Sequence, residues 1–261
     1  VGGDHLGQAA REFAAAEGID GRWLVHADVP TAAASIAVDP RGQNRILVNF
    51  AANLHLDPGF VAAQEAVFAG ARVLLVQLEN NLDAVRAALD LGARHGLTCL
   101  LNPAPVPKDI DAPLLDGCDV ITPNELEFAQ LLERLVGERV KSSDVALLDQ
   151  ASLHALCRSL GASTVVITLG ASGCFVSHGD KWRGDEAACY RLAAERVKAI
   201  DTVGAGDAFN GALAAALARN ADAPFREAIR YANRVAALST ERIGASIAMP
   251  AFDEVLARFG A

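Results

Sequence analysis

The sequence lacks several features that define large classes of protein. No apolar run approaches the roughly 20 residues that a membrane-spanning helix needs. The first residues, VGGDHLGQ, show neither an initiator methionine nor a signal-peptide pattern. Basic side chains number 23 against 32 acidic ones, so the formal net charge is -9. Because an acidic surface repels polyanions, nonspecific binding to nucleic acid or to anionic membranes is not expected.

Paired cysteines and clustered histidines are also missing. The number of cysteines is odd, and no two of them form a C-x-x-C pair. Four lie beside apolar residues, which predicts reduced and mostly buried thiols in a cytoplasmic protein. The six histidines show no spacing typical of metal ligands. The cysteines are Cys99, Cys118, Cys157, Cys174 and Cys189.

The chain does contain short apolar strands that alternate with amphipathic helices. Its 261 residues are 52% hydrophobic, enough for one large α/β domain or two small ones. The alternation predicts a mainly parallel sheet covered by helices on both faces. Strands are predicted at 72–77, 98–102, 119–122, 163–168 and 173–178. Helices are predicted at 6–17, 60–70, 82–96, 125–137, 147–161, after Gly204, within 225–244 and at 252–259.

Two further segments stand outside this alternation. Strand-like runs at 33–38 and 45–50 are joined by DPRGQN, whose turn chemistry predicts a hairpin. The polar segment 138–146 is predicted to be a surface loop.

The most informative stretch is DTVGAGDAFNGAL, residues 201–213. With the preceding KAI, it predicts a short strand, a glycine turn and a helix beginning near Gly206. Gly204 and Gly206 can take backbone angles closed to other residues and let a ligand approach the main chain. The free N–H groups at a helix start favour an anion such as a phosphate. Asp207 lies in that first turn and is expected to stay ionised. A carboxylate beside an anion hole suits proton removal from a hydroxyl during phosphoryl transfer.

Two better-known glycine motifs do not fit this stretch. The P-loop pattern G-x-x-x-x-G-K-[ST] occurs nowhere in the chain. The dinucleotide fingerprint requires a small residue where Phe209 stands, which disfavours a nicotinamide-dependent oxidoreductase. An ordinary strand-to-helix turn with an acid at the helix start remains the alternative for Asp207.

The stretch 201–213 resembles the C-terminal signature of the ribokinase-like (PfkB) carbohydrate kinase family. Other strings similar to that family follow in its order along essentially the whole chain. The resemblance implies an α/β fold, a ribokinase-like three-layer α/β/α sandwich with a mainly parallel central sheet and a small β lid, in a single domain over 1–261. The similar strings are VLLVQLE (73–79), LNPAP (101–105), DVITPNELE (119–127), VVITLGASG (165–173) and AIRYANRVAALSTERIGA (228–245).

The resemblance implies a role for each matching position around the transferred group. Asp207 would be the catalytic base on the sugar hydroxyl and would contact the substrate. Gly204, Ala205 and Gly206 would donate backbone N–H groups to the phosphoryl group. Glu79 would contact the sugar, although a surface acid at a strand end is the alternative.

The resemblance also implies sites for ATP, Mg²⁺ and K⁺. Asn124 and Glu127 would organise Mg²⁺, phosphate and water, although an ordinary capping pair has the same spacing. Asn233 would lie near the adenine, unless it simply faces solvent from its helix. The residues along ATP would be Thr168, Leu169, Gly170, Ala171, Ser172, Gly173 and Gly206. The residues around K⁺ would be Asp201, Val203, Ser239, Arg242 and Gly244, the last four mainly through backbone carbonyls.

One departure from the family pattern affects the sugar site. Members begin with a strand that carries a sugar-binding aspartate, followed by a lid segment and a GGKGAN-like motif, and none of these is found here. We therefore expect a kinase without its first structural unit. The hairpin at 33–50 would supply the remaining lid strands, which in this family can also form a homodimer contact.

The resemblance favours ATP-dependent phosphorylation of D-ribose to D-ribose 5-phosphate. The strings LNPAP and VQLE favour ribose over fructose or a nucleoside, which remain alternatives. A different class is a catalytically weak nucleotide- or sugar-binding protein of the same fold, for which the departure at the start of the chain is the argument.

Overall fold

The structure is a computed structural model that describes residues 1–38 and 44–260. The chain divides into two compact units by its internal contacts. The first unit comprises Val1–Ala66 and Leu78–Ala88, and the second comprises Val67–Gln77 and Leu89–Ala261. The single kinase domain predicted from the sequence stays a prediction.

The first unit contains the predicted hairpin. Helix α1 spans His5–Ala16 and begins at Asp4, whose carboxylate accepts a hydrogen bond from the Gly7 N–H. Strands β1 (Ala33–Val38) and β2 (Asn44–Asn49) pair antiparallel, which confirms the hairpin. The turn predicted between them falls at residues 39–43, which lie outside the described residues.

The helix predicted over 60–70 is instead two short helices. Helix α2 spans Pro58–Ala62, and helix α3 spans Glu65–Ala69. The N–H of Gln64 donates to the Val61 carbonyl, three residues back, so the chain turns tightly there and the α-helical ladder is interrupted. The apolar periodicity is continuous across the break, so the pattern alone favoured one helix.

The second unit is built on a six-stranded sheet whose spatial order is the chain order. The first four strands are parallel, and the last two each run antiparallel to their neighbour. The predicted mainly parallel sheet is therefore confirmed, and the four parallel strands all end at the same edge. The strands are β3 (Val73–Gln77), β4 (Thr98–Asn102), β5 (Val120–Ile121), β6 (Thr164–Thr168), β7 (Cys174–His178) and β8 (Cys189–Leu192).

Helices cover both sides of this sheet, as predicted from the alternation. Helix α9 packs against α10 and against β3, and α8 packs against β7 and β8. No helix in the described ranges is long and apolar enough to cross a lipid bilayer. The remaining helices are α4 (Leu82–Arg94), α5 (Ala112–Asp116), α6 (Glu125–Leu131), α7 (Ser142–Val145), α8 (Gln150–Ser159), α9 (Ala205–Arg219), α10 (Phe225–Ser239) and α11 (Phe252–Phe259).

Two further local predictions were wrong, and one strand was not predicted. No strand precedes the glycine turn, because the N–H groups of Ile200 and Asp201 both donate to the Thr240 carbonyl, which follows the end of α10. The predicted loop at 138–146 contains the short helix α7. Strand β8 was not predicted, since its four residues, CYRL, are too few and too polar to stand out.

A buried carboxylate fixes the start of α10. Asp185 accepts hydrogen bonds from the Arg226 N–H at 2.8 Å and from the Tyr190 hydroxyl at 2.5 Å, and lies 3.1 Å from His178 Nε2. Pro224, the residue before α10, provides no side-chain cap, so Asp185 supplies one from a distant segment. Burial raises the pKa of Tyr190 and lowers that of His178, which keeps both rings neutral.

Candidate active site

Polar residues emerge at the edge of the sheet where the parallel strands end. Asn102 is the last residue of β4, and Thr168 is the last residue of β6. Asn124 follows β5 by three residues and pairs with Thr168 in an isolated parallel bridge. Glu79 comes two residues after β3 and is partly buried. Ligands of open α/β sheets bind beyond such strand ends.

The Asn124–Glu127 pair forms a complete capping box at the start of α6. The Asn124 side chain accepts from the Glu127 N–H at 2.9 Å, and Glu127 Oε2 accepts from the Asn124 N–H at 2.8 Å. The Asn124 amide also donates to Glu127 Oε1 at 2.8 Å. Burial raises the pKa of Glu127. Asn124 and Glu127 therefore do cap the helix. The same hydrogen bonds hold the half-buried Glu127 carboxylate in a fixed direction.

The two glycines of the GAG turn serve different purposes. Gly204 has φ +77°, and a Cβ there would lie 3.2 Å from Ala245 Cα, so both its backbone angle and its packing require glycine. Gly206 does not use this backbone freedom, since its φ is not positive. A Cβ on Gly206 would meet nothing within 4 Å. Its missing side chain therefore leaves open space at the helix start.

Backbone donors face this opening of α9. The N–H of Ala205 donates to the Thr202 carbonyl at 3.2 Å, so this predicted anion-hole donor is engaged in the turn. The N–H groups of Gly206 and Asp207 make no hydrogen bond within the described residues, and Gly204 supplies no side-chain cap. Unpaired N–H groups at the positive end of a 15-residue helix favour a bound anion.

Asp207 lies among these donors without a partner of its own. In the described part of the chain its carboxylate neither caps the helix nor pairs with a cation. The surrounding protein disfavours the charged form and raises the pKa of Asp207 above its ordinary value, a direction opposite to the effect of the helix start. An exposed carboxylate with a raised pKa and no structural bond is typical of a functional acid or base.

Asp201 joins the glycine turn to the loop after α10. Its Oδ1 accepts from the Val203 N–H and its Oδ2 from the Gly244 N–H, each at 3.0 Å. These bonds, the Gly244 bond first, lower the pKa of Asp201 and keep it ionised. The carbonyls of Val203, Arg242 and Gly244 accept no hydrogen bond within residues 1–38 and 44–260. Asp201, Val203 and Gly244 of the predicted K⁺ set are thus brought together. The Ser239 carbonyl, also in that set, accepts a hydrogen bond from the Arg242 N–H at 3.5 Å.

The predicted ATP segment forms a tight turn after β6. Gly170, Ala171 and Ser172 lie in a 3₁₀ turn and are exposed, while the Leu169 side chain is buried in the core. Gly173 has φ +86°, and a Cβ there would lie 2.0 Å from the carbonyl oxygen of Leu192, the last residue of β8. Packing therefore requires Gly173, and the exposed part of the predicted ATP segment is 170–172.

Asn233 does not face solvent from α10. Its side chain is buried, and its amide donates to Cys174 Sγ at 3.5 Å. The solvent-facing alternative is excluded by this burial. A contact between Asn233 and the adenine stays a prediction.

Comparison with known proteins agrees with this geometry. Residues 1–251 match the family described as pfkB family carbohydrate kinase. The chain belongs to this family. A ribokinase from Haemophilus influenzae is 36% identical over 257 residues, which are 98% of this chain and 78% of that protein.

Solved structures of pfkB family members confirm the fold class. The ribokinase of Giardia lamblia superposes with a TM-score of 0.85 at 26% identity, covering 99% of this chain and 81% of its own. The ribokinase of Thermotoga maritima gives a TM-score of 0.81 at 28% identity, covering 98% of this chain and 78% of its own. The predictions of the family, of the ribokinase-like α/β fold and of a carbohydrate kinase are therefore confirmed.

The site fits Mg²⁺ that arrives with a nucleotide. Among the described residues, no group of three or more His, Cys, Asp or Glu side chains could hold a metal ion. Mg²⁺ in kinases is held through one or two carboxylates, water and the substrate phosphates, and it needs no all-protein cage. Glu127, oriented by Asn124, is a carboxylate of the required kind.

Sequence reasoning missed one polar pair behind the site. Thr122 and Asn210 are both buried, and the Thr122 hydroxyl lies 2.6 Å from Asn210 Oδ1. The two residues are 88 positions apart, and neither the turn nor the helix that contains them indicates the contact. The only sequence signal is a polar residue on the core side of an alanine-rich helix.

Proposed function

We propose that this protein transfers the γ-phosphoryl group of MgATP to a primary hydroxyl of D-ribose, giving D-ribose 5-phosphate and ADP. Membership of the pfkB carbohydrate kinase family and 36% identity to a ribokinase support the reaction class and the sugar. The match covers 78% of that relative's length. D-ribose is proposed as the substrate because that relative is a ribokinase.

Asp207 acts as the general base. The sugar hydroxyl attacks the γ-phosphorus, an O–P bond forms, and the bond from that phosphorus to the β,γ-bridging oxygen breaks. The hydroxyl proton passes to the Asp207 carboxylate, and ADP leaves. A base with a raised pKa holds this proton better than an ordinary aspartate does.

The start of α9 stabilises the transferring group. The N–H groups of Gly206 and Asp207, unpaired within the described residues, donate to the equatorial oxygens as charge spreads over them. Glu127 and Asn124 hold Mg²⁺ through water, and the ion neutralises negative charge on the phosphates when bound. Thr168 and the exposed turn 170–172 lie along the nucleotide, with Asn233 at the adenine, and Glu79 contacts the sugar.

The observation that carries this proposal is the unpartnered Asp207 beside unpaired helix N–H groups. The test is ADP release by the purified protein with MgATP and each of four acceptors: D-ribose, 2-deoxy-D-ribose, D-fructose and adenosine. We expect D-ribose to give the highest kcat/KM. A higher value for another acceptor would reassign the substrate but keep the kinase. ATP binding without ADP release on any acceptor would favour the binding-protein alternative.

We also propose that K⁺ binds between residues 201–203 and 239–244. A large cation of low charge density suits backbone carbonyls, and its charge would be balanced by the ionised Asp201. The site lies next to the GAG turn, so its occupancy would order the anion hole.

Replacing Na⁺ with K⁺ at constant ionic strength is expected to raise kcat several-fold. Asp201→Asn keeps one acceptor but loses the charge, so its kcat should be low and insensitive to K⁺. Asp253→Asn, an exposed acid in the second unit, serves as the control and should keep the K⁺ response. Equal rates in K⁺ and Na⁺ for the unmodified protein would contradict a cation role.

The hairpin suggests a dimer contact, and the free thiols suggest a cellular compartment. Leu47 and Val48 on β2 are exposed apolar side chains, 75% and 39% accessible, and would be covered in a homodimer formed through the lid strands. The five cysteines are free, which suits a reducing compartment such as the cytoplasm.

A further inference from the structure

A buried hydrogen bond ties the proposed catalytic helix to the sheet. Thr122 follows β5 directly and is 1% exposed, and Asn210 lies in the second turn of α9 and is 5% exposed. The Thr122 hydroxyl donates to Asn210 Oδ1 over 2.6 Å. A short hydrogen bond out of water is stronger and more directional than one at the surface.

The sheet end of this bond is held by two backbone hydrogen bonds. The Thr122 N–H donates to the Leu101 carbonyl at 2.9 Å, and the Thr122 carbonyl accepts from the Asn102 side chain at 2.9 Å. Both partners belong to β4, the neighbouring parallel strand. The hydroxyl therefore projects from backbone whose N–H and carbonyl are both bonded to β4.

The helix end of this bond lies next to the proposed base. Asn210 is three residues after Asp207, so the two side chains share one face of α9, one turn apart. The rest of that face is small or apolar. The apolar contacts of α9, which include the buried Phe209 and Leu213, are less directional than a hydrogen bond. The side chain of Asn210 is the polar group that selects one rotation.

We propose that Thr122 is a positioning residue for the transfer reaction, acting through Asn210 to fix the rotation of α9 and hence the direction of Asp207 and its N–H groups. The inference deepens the proposed kinase function and rests on it. A shift of about 1 Å in a reacting group costs on the order of a hundredfold in rate, so a rotation of the helix start reduces kcat without removing any group that touches the substrate.

Thr122→Val tests this role because it keeps the shape and removes the hydroxyl. We expect kcat to fall by about tenfold or more, within the range that misplacement allows, while the KM values for ATP and sugar stay nearly constant. Thr122→Ser keeps the hydroxyl and should restore most of the lost rate.

Thr164→Val is the matched control. Thr164 is a fully buried threonine at the first residue of the adjacent strand β6, and its hydroxyl lies 3.2 Å from His178 Nδ1. This variant also leaves a buried polar group, His178 Nδ1, without its partner, but at the edge of the sheet where the parallel strands begin. It should lower the melting temperature as Thr122→Val does and leave kcat unchanged.

The double variant Thr122→Val/Asn210→Leu separates positioning from stability. Each single change leaves one buried polar group unpaired, whereas the double change removes both, so part of the lost stability should return. The rate should not return, because the tether is absent. Recovery of kcat together with the melting temperature would overturn the proposal, as would an unchanged kcat in folded Thr122→Val.

Hydrogen exchange gives a readout that does not depend on turnover. The Ala208 N–H is bonded to the Gly204 carbonyl at 2.9 Å, so its exchange reports the order of the first turn of α9. Thr122→Val should speed exchange at 208–211, and Thr164→Val should not. Unchanged exchange would overturn the tether even if the protein turned over no sugar, and that absence of turnover would count against the proposed function alone.

Discussion

Asp207→Asn is expected to lower kcat by about 10²–10⁴-fold, the usual contribution of a positioned general base. The amide has the size of the carboxylate but cannot accept the hydroxyl proton. Because Asp207 makes no hydrogen bond within the described residues, its replacement breaks no structural bond. KM for ATP should therefore stay nearly constant, and steady-state kinetics with D-ribose measures both parameters.

The raised pKa of Asp207 gives this variant a second signature. A carboxyl whose pKa is higher in the folded state than in the unfolded one loses stabilisation as pH rises through that interval. The charged form of Asp207 thus destabilises the fold relative to the neutral form, and Asp207→Asn should melt at the same or a higher temperature. The wild-type rate should fall on the acid side, at a pH above the ordinary range of an aspartate.

Asp253→Asn provides the comparison for both readouts. Asp253 also lies in the first turn of a helix, α11, and is exposed. Its amide variant should keep full activity and the wild-type pH profile. A large loss of activity in Asp253→Asn, or none in Asp207→Asn, would remove Asp207 from the role of base.

Gly206→Ala is expected to reduce kcat by about a hundredfold while leaving the fold intact. The backbone angle of Gly206 is an ordinary one, and the added methyl group would meet no protein atom within 4 Å. Alanine is the better helix former by up to about 1 kcal/mol, so the melting temperature should hold or rise. The methyl group would occupy the space of the phosphoryl group and displace it by about 1 Å.

Alanine variants of two other glycines in this region serve as controls. They distinguish a loss of activity caused by crowding of the ligand from one caused by backbone strain. Gly211 lies in the same helix with nothing within 4 Å of an added Cβ, so Gly211→Ala should stabilise the protein and keep its activity. Gly204 has φ +77°, and Gly204→Ala should cost about 1–2 kcal/mol of stability from that angle alone. The melting temperature and kcat of the three alanine variants, measured side by side, distinguish the two causes. Full activity in Gly206→Ala would show that no phosphoryl group lies against this residue.

Much of the fold could be predicted from the sequence because its signals are local. Strands such as 98–102 are short apolar runs between turns, and α9 follows a glycine turn with an acid in its first turn. The residues of the glycine turn and its acid were identified from the motif, and their chemistry follows from the physics of a helix start. The roles assigned to them stay predictions until the variants are measured.

The rest depended on contacts that no local pattern contains. The segment before Gly204 reads as a strand, but its N–H groups bond to Thr240, beyond α10. The motif suggests two uses for its glycines, backbone freedom and close approach of a ligand, without assigning them. The structure gives Gly204 the positive φ and leaves open space at Gly206. The bond between Thr122 and Asn210 joins residues 88 positions apart and becomes visible only when β5 and α9 are packed.

The most direct test of the account is the ³¹P NMR spectrum of the purified protein with MgATP and D-ribose, beside Asp207→Asn. We predict ADP and a sugar phosphomonoester in equal amounts, with the new phosphorus coupled to the C5 protons, and neither product from the variant. ADP accompanied only by inorganic phosphate, or an equal yield of phosphomonoester from Asp207→Asn, would contradict phosphoryl transfer to the sugar with Asp207 as its base.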